Sequence, residues 1–600
     1  MNKHDGISVI SYEYLFYIDK RSCKMTVFTD RQTGELTGYP SIDKPWMKYY
    51  SEEVSYMPSP EMSMYDFLYE NNKDNLDYTA LNYFGKKVSY RELFENIDTV
   101  ASSLKALGIK NGDIVSVCAL NTPEFVYLLY ALNRIGAVSN WIGLTSPVSD
   151  LNKQLVSTEC RTVFTVDIAY DQILEAAKDT LAEQIIVVPL EYSMPAHLKL
   201  AIGFRNRHTK KAGIRWKEFI GKTANDNHTN QTNPNDMAII EYTGGSTGVP
   251  KGVMLSNKAM NSYYVNFAKT NHNGITSYEE RDKFLFGVPL FLAFGASSCC
   301  HGPMCHSMEL VLVPDPSPEA GTRIIMQSKV NHIIAGRLLI DDLSEKVKKN
   351  NLNLGFIKTI MYGGEEADKN WETSVTECLK KHHVSVPLLN GYGMTETSAA
   401  IMIAPNNETD GLLPLANIQA KVVDPDNEME EYTYNTEGEL CLSANTLMLG
   451  YYQNDKATQD SIFEQDGEKW LKTKDLATIT PDGIIKITGR IKRIYSRVDS
   501  DGIQIRVYPM RIEETLTGHE FVKQCAVVGI KDDVLAYRSV AYIIPSVKGV
   551  NENDMKQQLQ KHCKANLPDS HQPDEYIFVD SFPITRAGKV DYKELERMAK

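Results

Sequence analysis

The feature that most constrains the fold of this chain is the alternation of short apolar segments with longer amphipathic segments through most of its length. Ile114–Ala119 has the pattern of a buried strand, and Thr122 follows as the cap of a helix through Ile135 that Gly136 ends. Further strands are predicted at Ala238–Tyr242, Phe284–Val288, Glu309–Val313, His332–Ala335 and Lys358–Met361. Alternating strands and helices predict an α/β fold of mostly parallel sheets wrapped by helices. Ligands of such folds bind beyond the carboxyl ends of the strands.

The length of 600 residues exceeds what one hydrophobic core usually supports, so two or more domains are expected. After about Arg490 the chain changes character, and charged residues crowd together. Beyond them lie the patterns of three strands and one helix, at Gln524–Ile530, Arg538–Pro545, Tyr576–Val579 and about Glu552 to Leu567. We therefore predict a large N-terminal domain, residues 1–490, and a small α+β C-terminal domain, residues 491–600.

A glycine-rich loop, YTGGSTGVPKGV at Tyr242–Val253, directly follows one of the predicted strands. Its backbone amides, hydroxyls and single lysine suit phosphate oxygens. It does not match the Walker loop, because Pro250 precedes Lys251 and Gly252 follows it. The loop predicts a phosphate site of a different design, with an ordinary surface turn as the alternative.

Composition narrows the class of protein further. The formal net charge of −13 disfavours a nucleic-acid partner, which needs a basic surface. The ten cysteines are scattered, as is typical of reduced thiols in a cytoplasmic protein, and no signal peptide is recognised. The longest apolar run, Phe284–Cys300, contains Gly287 and Pro289 and is short for a bilayer span. We expect that run to be a buried strand followed by a loop.

Seven further short motifs follow one another along the chain: PLFLAFG at Pro289–Gly295, YGG at Tyr362–Gly364, NGYGMTE at Asn390–Glu396, GEL at Gly438–Leu440, WLKTKD at Trp470–Asp475, TGRIKRI at Thr488–Ile494 and RAGKVD at Arg586–Asp591. With the glycine loop, they make the chain resemble the adenylate-forming superfamily, closest in character to its fatty acyl-CoA synthetases. The resemblance runs from about Tyr78 to the end and implies that the C-terminal domain is mobile. It also implies an acid–thiol ligase that uses ATP and Mg²⁺ to form an acyl-adenylate and then transfers the acyl group to coenzyme A.

The resemblance assigns a nucleotide site to residues of several motifs. The β- and γ-phosphates would be held by Thr243, Gly244, Gly245, Ser246, Thr247, Gly248 and Lys251. The adenosine would be held by Gly363, Gly364, Asn390, Gly391, Tyr392, Gly393, Asp475 and Arg490. Thr395 and Glu396 would be catalytic, and Glu396 would bind Mg²⁺ together with Thr247. Taken singly, each residue has a plainer interpretation as a core, turn or surface residue.

Three more residues are assigned to the domain junction and the C-terminal domain. Lys589 would be catalytic, because its ammonium would reach the substrate carboxylate and the α-phosphate in the first step. Lys492 resembles the hinge about which the small domain rotates, and it is counted with the cofactor-binding residues. Gly502 is what remains of a glycine pair in the loop that lines the thiol tunnel of relatives, which here reads DSDGIQIRVYP at Asp499–Pro509.

The acid is expected to be a fatty acid or another apolar carboxylic acid. Leu292 stands where relatives often carry a ring residue, and with Gly295 it is predicted to line the substrate pocket. No acidic residue occurs from 289 to 295, so an α-amino acid would leave its ammonium unpaired at considerable cost.

Several alternatives stay open from the sequence. The acyl group could be loaded onto a carrier-protein thiol, the chain could be a luciferase-like oxygenase, or it could be a non-catalytic nucleotide-binding protein of the same fold. His197–Lys217 carries seven Lys and Arg residues among apolar ones, which permits weak contact with an anionic membrane surface. A basic surface insertion is the favoured interpretation of that segment.

Overall fold

Local sequence signals fix many of the element boundaries in the computed structural model, which describes residues 36–50, 58–203, 213–224, 232–243, 250–268, 278–364, 369–405, 409–498, 504–547, 551–585 and 589–599. Ser89 and Glu92 form a reciprocal capping box at the start of one long helix. Ser256 caps another through its hydroxyl, which accepts from the Ala259 amide.

The strands are numbered β1 to β28 in chain order: Thr79–Tyr83, Lys86–Ser89, Ile114–Cys118, Val138–Trp141, Thr162–Val166, Gln184–Val188, Ile214–Arg215, Met237–Tyr242, Gly252–Ser256, Lys283–Phe286, Glu309–Leu312, His332–Ala335, Thr359–Gly363, Leu388–Met394, Ala399–Ile403, Leu413–Pro414, Gln419–Asp424, Asn427–Glu431, Gly438–Ser443, Gly450–Tyr451, Ile462–Gln465, Glu468–Ile479, Ile485–Arg490, Tyr495–Val498, Gln504–Val507, Val522–Asp532, Ala536–Pro545 and Glu575–Phe578.

The α-helices are numbered α1 to α17: Pro40–Asp43, Met64–Asn72, Tyr90–Ala106, Pro123–Arg134, Val148–Ser157, Tyr170–Ala176, Ala196–Gly203, Trp216–Phe219, Asn257–Ala268, Gly302–Cys305, Pro318–Ser328, Arg337–Asn350, Lys369–Lys381, Asp455–Gln459, Pro509–Thr517, Glu552–Asn566 and Tyr592–Met598. Short 3₁₀ turns lie at Pro45–Tyr49, Asp167–Ala169, Thr395–Thr397, Ile491–Arg493 and Asp569–His571.

Two large, mostly parallel sheets confirm the predicted α/β fold. The nine-stranded sheet has the order β16-β15-β14-β13-β12-β10-β11-β1-β2, and the eight-stranded sheet has the order β20-β9-β8-β4-β3-β5-β6-β7. Asn121, which follows β3, donates from Nδ2 to the carbonyl oxygens of Phe286 and Val288 at 3.1 and 3.0 Å. The carboxyl ends of β3 and β10 therefore adjoin, and this junction is where a ligand of both sheets would bind.

A third sheet was not foreseen from the sequence. Its order is β18-β17-β19-β22-β21, with β23 paired to β22, and all of these pairings are antiparallel. After β23, the strands β24 and β25 pair with each other, and β26, β27 and β28 form a sheet of their own. Buried apolar residues of this last region form clusters separate from the main core. The boundary at residue 490 stays a prediction.

Phe284–Cys300 differs from its predicted form of a strand followed by a loop. The strand part is β10, but Phe294–His301 forms a π-helix that leads directly into α10. The predicted loop is present at 287–292, and the prediction was wrong only for the rest of the run, because the helix continues through Gly295. Residues Ala296–His301 are buried, and their backbone groups are satisfied by the helix.

Among the described residues, no helix is long and apolar enough to cross a membrane. The basic segment His197–Lys217 is described only in part, because residues 204–212 lie outside the described residues.

Candidate active site

The two ends of the glycine loop are held together by the backbone. The Thr243 amide donates to the Lys251 carbonyl oxygen at 3.1 Å, and the Lys251 amide donates to Thr243 Oγ1 at 3.3 Å. β8 and β9, which flank the loop, pair antiparallel. Five predicted phosphate ligands lie outside the described residues: Gly244, Gly245, Ser246, Thr247 and Gly248.

Lys251 is joined to Glu396 through an aromatic ring that the sequence did not single out. The Lys251 ammonium lies 3.6 Å from the ring centroid of Tyr451, and the Tyr451 hydroxyl donates to Glu396 Oε1 at 2.7 Å. Burial lowers the pKa of Lys251, and the Glu396 carboxylate partly offsets that effect. A cation over a ring face is attracted by the ring quadrupole. Tyr451 reaches this site because β20 pairs with β9. The spacing of motifs along the sequence does not reveal that pairing, so it could not identify Tyr451.

Asp475 joins two other predicted adenosine-binding residues. Tyr392 donates from its hydroxyl to Asp475 Oδ2 at 2.6 Å, and Arg490 Nε lies 2.7 Å from Asp475 Oδ1. The register explains the second contact, because Asp475 and Arg490 are direct partners in the β22–β23 pair. Burial and the nearby Asp475 carboxylate raise the pKa of Tyr392 well above its ordinary value. The Tyr392 hydroxyl is therefore a proton donor at neutral pH.

The GEL motif positions Asp475 from the neighbouring strand. Glu439 accepts the Lys474 amide proton at 3.1 Å, and its carboxylate lies 3.6 Å from the Lys474 ammonium. Lys474 has a φ of 64°, which few non-glycine residues adopt. The Glu439 hydrogen bond therefore supports an unusual backbone conformation immediately before Asp475. Burial raises the pKa of Glu439, and Lys474 opposes that rise.

The NGYGMTE segment runs from β14 into a 3₁₀ turn that contains Thr395 and Glu396. Gly393 has no room for a side chain, because a Cβ there would lie 2.0 Å from the Ala399 carbonyl oxygen. Asn390 and Gly391 pair with Tyr362 and Gly363 in the parallel β13–β14 ladder. Gly363 and Gly364 thus lie at the carboxyl end of β13, beside Tyr392.

Comparison with known proteins identifies the family. The model of the AMP-binding enzyme family matches residues 68–452, and that of the AMP-binding enzyme C-terminal domain matches residues 511–589. The chain belongs to the AMP-binding enzyme family. The predicted resemblance is thereby confirmed.

Relatives of this AMP-binding enzyme are similar over nearly their whole length. A 2-succinylbenzoate–CoA ligase of Listeria monocytogenes is 26% identical over 519 residues, which is 86% of this chain and 96% of the relative. A long-chain-fatty-acid–CoA ligase of Bacillus subtilis is 23% identical over 572 residues, 91% of this chain and 96% of the relative.

Solved structures share the fold of this AMP-binding enzyme. The anthranilate CoA ligase AuaEII, in complex with anthranoyl-AMP, superposes with a TM-score of 0.75 at 20% identity, over 91% of this chain and 99% of its own. ATP-bound MatB from Rhodopseudomonas palustris also gives a TM-score of 0.75 at 20% identity, over 90% of this chain and 99% of its own. The predicted fold is thereby confirmed.

Leu292 and Gly295 lie at the junction between the PLFLAFG motif and the π-helix. Leu292 is partly buried, whereas Gly295 is buried and donates from its amide to the Leu292 carbonyl oxygen at 2.7 Å. A Cβ at Gly295 would lie 2.0 Å from the Pro289 carbonyl oxygen. The glycine is thus required by the turn itself, and its role in a substrate pocket stays a prediction.

The predicted hinge and the C-terminal lysine lie in different surroundings. Lys492 belongs to the 3₁₀ turn Ile491–Arg493, and its positive charge contributes to lowering the pKa of Lys251. The predicted hinge residue therefore lies close to Lys251 of the glycine loop. Lys589 is exposed, and its amide donates to Thr585 Oγ1 at 3.2 Å. Gly502 lies outside the described residues.

The donor set fits ATP with Mg²⁺. Among the described residues, no three His, Cys, Asp or Glu side chains cluster to hold a metal ion by themselves. Mg²⁺ is usually bound by one or two carboxylates together with substrate phosphates, so a single carboxylate at Glu396 agrees with that ion. The Glu396 side chain is buried but sits beside the Lys251 ammonium, where a phosphate chain would bring its own oxygens.

Proposed function

We propose that this protein is an AMP-forming acid–thiol ligase that converts an apolar carboxylic acid to its coenzyme A thioester at the expense of ATP. The single observation that carries the proposal is the arrangement of Lys251, Tyr451 and Glu396 at the phosphate loop, with a separate cluster of Tyr392, Asp475 and Arg490 for the nucleoside. Names of relatives support it, since they include several CoA ligases.

In the first step, a substrate carboxylate oxygen attacks the α-phosphorus of ATP, the bond to the bridging oxygen breaks, and pyrophosphate leaves. Two anions approach each other, so positive charge must be placed where the negative charge develops. Lys251 supplies one such charge at the phosphate loop, and Lys589 supplies another when the small domain closes. Glu396 would hold Mg²⁺, which would supply further neutralisation of the phosphate charge.

In the nucleoside cluster, the Asp475 carboxylate accepts both ribose hydroxyls. Arg490 and Tyr392 orient that carboxylate, because each contacts one of its oxygens. The adenine ring stacks on Tyr392 and lies against the backbone of Gly363 and Gly364.

In the second step, the thiolate of coenzyme A attacks the acyl carbonyl carbon and AMP leaves with the electron pair of the broken bond. The small domain rotates about Lys492 between the two steps, which removes Lys589 and brings the 499–509 loop to the thiol. Hinges of this kind are short junctions that absorb large dihedral changes.

An apolar acid is favoured by the PLFLAFG motif. Leu292 offers an aliphatic wall, and each methylene removed from water contributes about 0.8 kcal/mol. The named acids of relatives, 2-succinylbenzoate, 4-coumarate and long-chain fatty acids, all carry an apolar body. A carrier-protein thiol is the alternative acceptor.

The proposal is tested by ATP–pyrophosphate exchange with a panel of fatty, aromatic and amino acids, followed by thioester assays. We expect exchange with at least one aliphatic or aromatic acid, none with free α-amino acids, and a thioester with coenzyme A. Absence of exchange with every acid would point to a non-catalytic nucleotide-binding protein. Exchange without transfer to coenzyme A, but with transfer to a carrier protein, would change the acceptor.

A further inference from the structure

Arg493 is the last residue of the 3₁₀ turn that contains Lys492, and its side chain contacts the C-terminal region. Its Nη2 lies 2.5 Å from Glu513 Oε1 on α15 and donates to the Val527 carbonyl oxygen on β26 at 3.5 Å. The guanidinium carbon lies 3.9 Å from the ring centroid of Tyr592, the first residue of α17. One side chain therefore contacts three elements of that region.

The other end of the same turn is tied to the nucleoside cluster. Arg490 immediately precedes the turn, and its Nε lies 2.7 Å from Asp475 Oδ1. Asp475 in turn accepts from the Tyr392 hydroxyl of the nine-stranded sheet at 2.6 Å. Only Ile491 and Lys492 separate the two arginines. The chain therefore passes from one set of contacts to the other within two residues.

The Tyr592 contact places Arg493 beside the segment that carries Lys589. Ile584 and Val590, on either side of Lys589, form an antiparallel bridge. A single residue separates Val590 from Tyr592, where α17 begins. Whatever holds the Tyr592 ring in place therefore also holds the base of this bridge.

The combination of contacts requires an arginine. A guanidinium donates within its plane and offers a flat face to an aromatic ring, whereas an ammonium is a point charge without such a face. The Arg493 and Glu513 side chains are only 15% and 10% exposed, so salt screens this pair weakly. Glu513 is itself fixed, because its Oε1 accepts from the Val527 amide at 2.6 Å. The guanidinium is therefore oriented from several sides.

We propose that Arg493 is a positioning residue for Lys589 in the adenylate-forming step, an inference that rests on the proposed function. Arg493 fixes residues 583–591, called here the Lys589 segment, to the end of the turn that contains Lys492. Rotation at the turn then carries Lys589 with it. The Lys589 ammonium thereby reaches the substrate carboxylate and the α-phosphate in one defined place.

Single-turnover kinetics of the two half-reactions test the proposal. Arg493→Met should slow acyl-adenylate formation by about tenfold, which is about 1.4 kcal/mol on that barrier, and should leave thioester formation from synthetic acyl-adenylate within about threefold of normal. In a Lys589→Ala background, Arg493→Met should slow adenylate formation by less than about twofold, because the two residues act as one unit. Equal slowing of both half-reactions, or an undiminished loss in the Lys589→Ala background, would overturn the proposal.

Arg538→Met is the matched control. Arg538 also joins elements of the C-terminal region, since it pairs with Glu575 and donates to the Ala599 carbonyl oxygen at 2.9 Å, but it does not belong to the turn. That variant should leave both rates as they were. A selective loss of adenylate formation in Arg538→Met as well would show that the turn has no special part in placing Lys589.

Tyr592→Leu tests the same contact from the other side and keeps an apolar residue at a partly buried position. Loss of the ring should slow adenylate formation by at least about threefold, again with little effect on thioester formation. Unchanged adenylate formation in this variant would contradict the proposal, even if Arg493→Met failed to fold.

Amide hydrogen exchange separates a failure of this inference from a failure of the proposed function, because it needs no substrate. The Lys589 segment should exchange at least about threefold faster in Arg493→Met than in Arg538→Met. Equal exchange in the two variants would overturn the inference. If the unaltered protein formed no adenylate with any acid, the proposed function would fail, and exchange would still decide whether Arg493 holds the Lys589 segment.

Discussion

Tyr451 shows how much of the candidate site depends on one residue that no motif marks. Its ring faces the Lys251 ammonium and its hydroxyl donates to Glu396, so one side chain separates the cation of the proposed phosphate loop from the carboxylate proposed to bind Mg²⁺. Lys251 and Glu396 could be predicted because both belong to recognisable motifs. The residue between them could not, because strand register brings it there rather than distance along the chain.

The two functions of Tyr451 can be separated by substitution. Tyr451→Phe keeps the ring under Lys251 and removes the hydrogen bond to Glu396, and we expect kcat to fall more than the KM for ATP rises. Tyr451→Leu removes the ring as well, and the loss of about 1–2 kcal/mol of cation–π attraction should raise the KM for ATP by about tenfold. Steady-state kinetics with varied ATP measure kcat and KM for both Tyr451 variants, and Tyr452→Phe at the adjacent position is the control. Equal kinetics for Tyr451→Leu and Tyr451→Phe would show that the ring contact does not hold Lys251.

His301 is predicted to make stability depend on acid pH. It is fully buried, with Nδ1 3.0 Å from the Tyr130 hydroxyl and Nε2 2.9 Å from Asn261 Oδ1, and burial lowers its pKa from 6.5 to about 3. As pH falls below 6.5, His301 therefore becomes protonated in the unfolded chain but stays neutral in the folded chain. Stability is full above that pH and declines towards pH 3, by up to about 1.4 kcal/mol per pH unit.

The measurement is the midpoint of thermal unfolding between pH 7 and pH 4. His301→Gln should lower the midpoint at pH 7 and should flatten its dependence on pH relative to the unaltered chain. His197→Gln, at an exposed position, should leave the pH dependence as it was. An unchanged slope in His301→Gln would mean that other groups carry the acid sensitivity.

At the scale of elements, the parallel strands were predictable and the antiparallel sheet was not. His332–Ala335 was predicted with its observed bounds, and Glu552–Leu567 was one residue too long at its end. Buried parallel strands are short apolar runs that stand out between helices. The strands around Glu439 and Asp475 mix charged and apolar residues although β19 is buried at every position, so their sequence carries no comparable signal.

The π-helix at Phe294–His301 depends on the absence of a side chain at its start. Gly295→Ala would place a Cβ 2.0 Å from the Pro289 carbonyl oxygen, so the PLFLAFG turn must shift. We expect a loss of about 1–3 kcal/mol of stability, as for overpacking in a core, and a higher KM for the acid. Denaturant unfolding and acid-dependent kinetics measure these two effects.

Gly287→Ala is the matched control, because a Cβ there meets nothing closer than Leu285 Cδ2 at 3.6 Å. That variant should unfold and react much as the unaltered chain does. If both alanine variants behaved alike, the tight turn at Gly295 would not determine the shape of the proposed acid pocket.

At the scale of the whole molecule, the contacts described between the last hundred residues and the rest are few and mostly exposed. Arg511 pairs with Glu437 at 2.9 Å, and Asn370 Nδ2 donates to the Thr517 carbonyl oxygen at 2.8 Å. Exposed pairs of this kind contribute about 0–1 kcal/mol each. Such an interface is weak enough to be broken and remade in every catalytic cycle, as the proposed rotation requires.

Lys492→Pro tests that rotation. Proline fixes φ near −65° and removes the amide proton, so the small domain should be restricted to fewer orientations. We expect acyl-adenylate formation within about threefold of normal and thioester formation slowed by about tenfold or more, which would be about 1.4 kcal/mol on the second barrier. Single-turnover assays of each half-reaction give the two rates. Lys492→Ala, which keeps the backbone free, should retain the thioester rate, and equal losses in both variants would place the hinge elsewhere.

The separate apolar clusters of the C-terminal region have a consequence for how the chain melts. Val527, Ile543 and Leu559 belong to one of these clusters, and Val528, Tyr542 and Leu595 to another, apart from the core of the two large sheets. Scanning calorimetry should therefore resolve two heat-absorption peaks, and a nucleotide held mainly by the large sheets should move only the larger peak to higher temperature. A fragment beginning near Tyr495 would then be a folding unit in its own right, suited to isotope labelling apart from the other five-sixths of the chain.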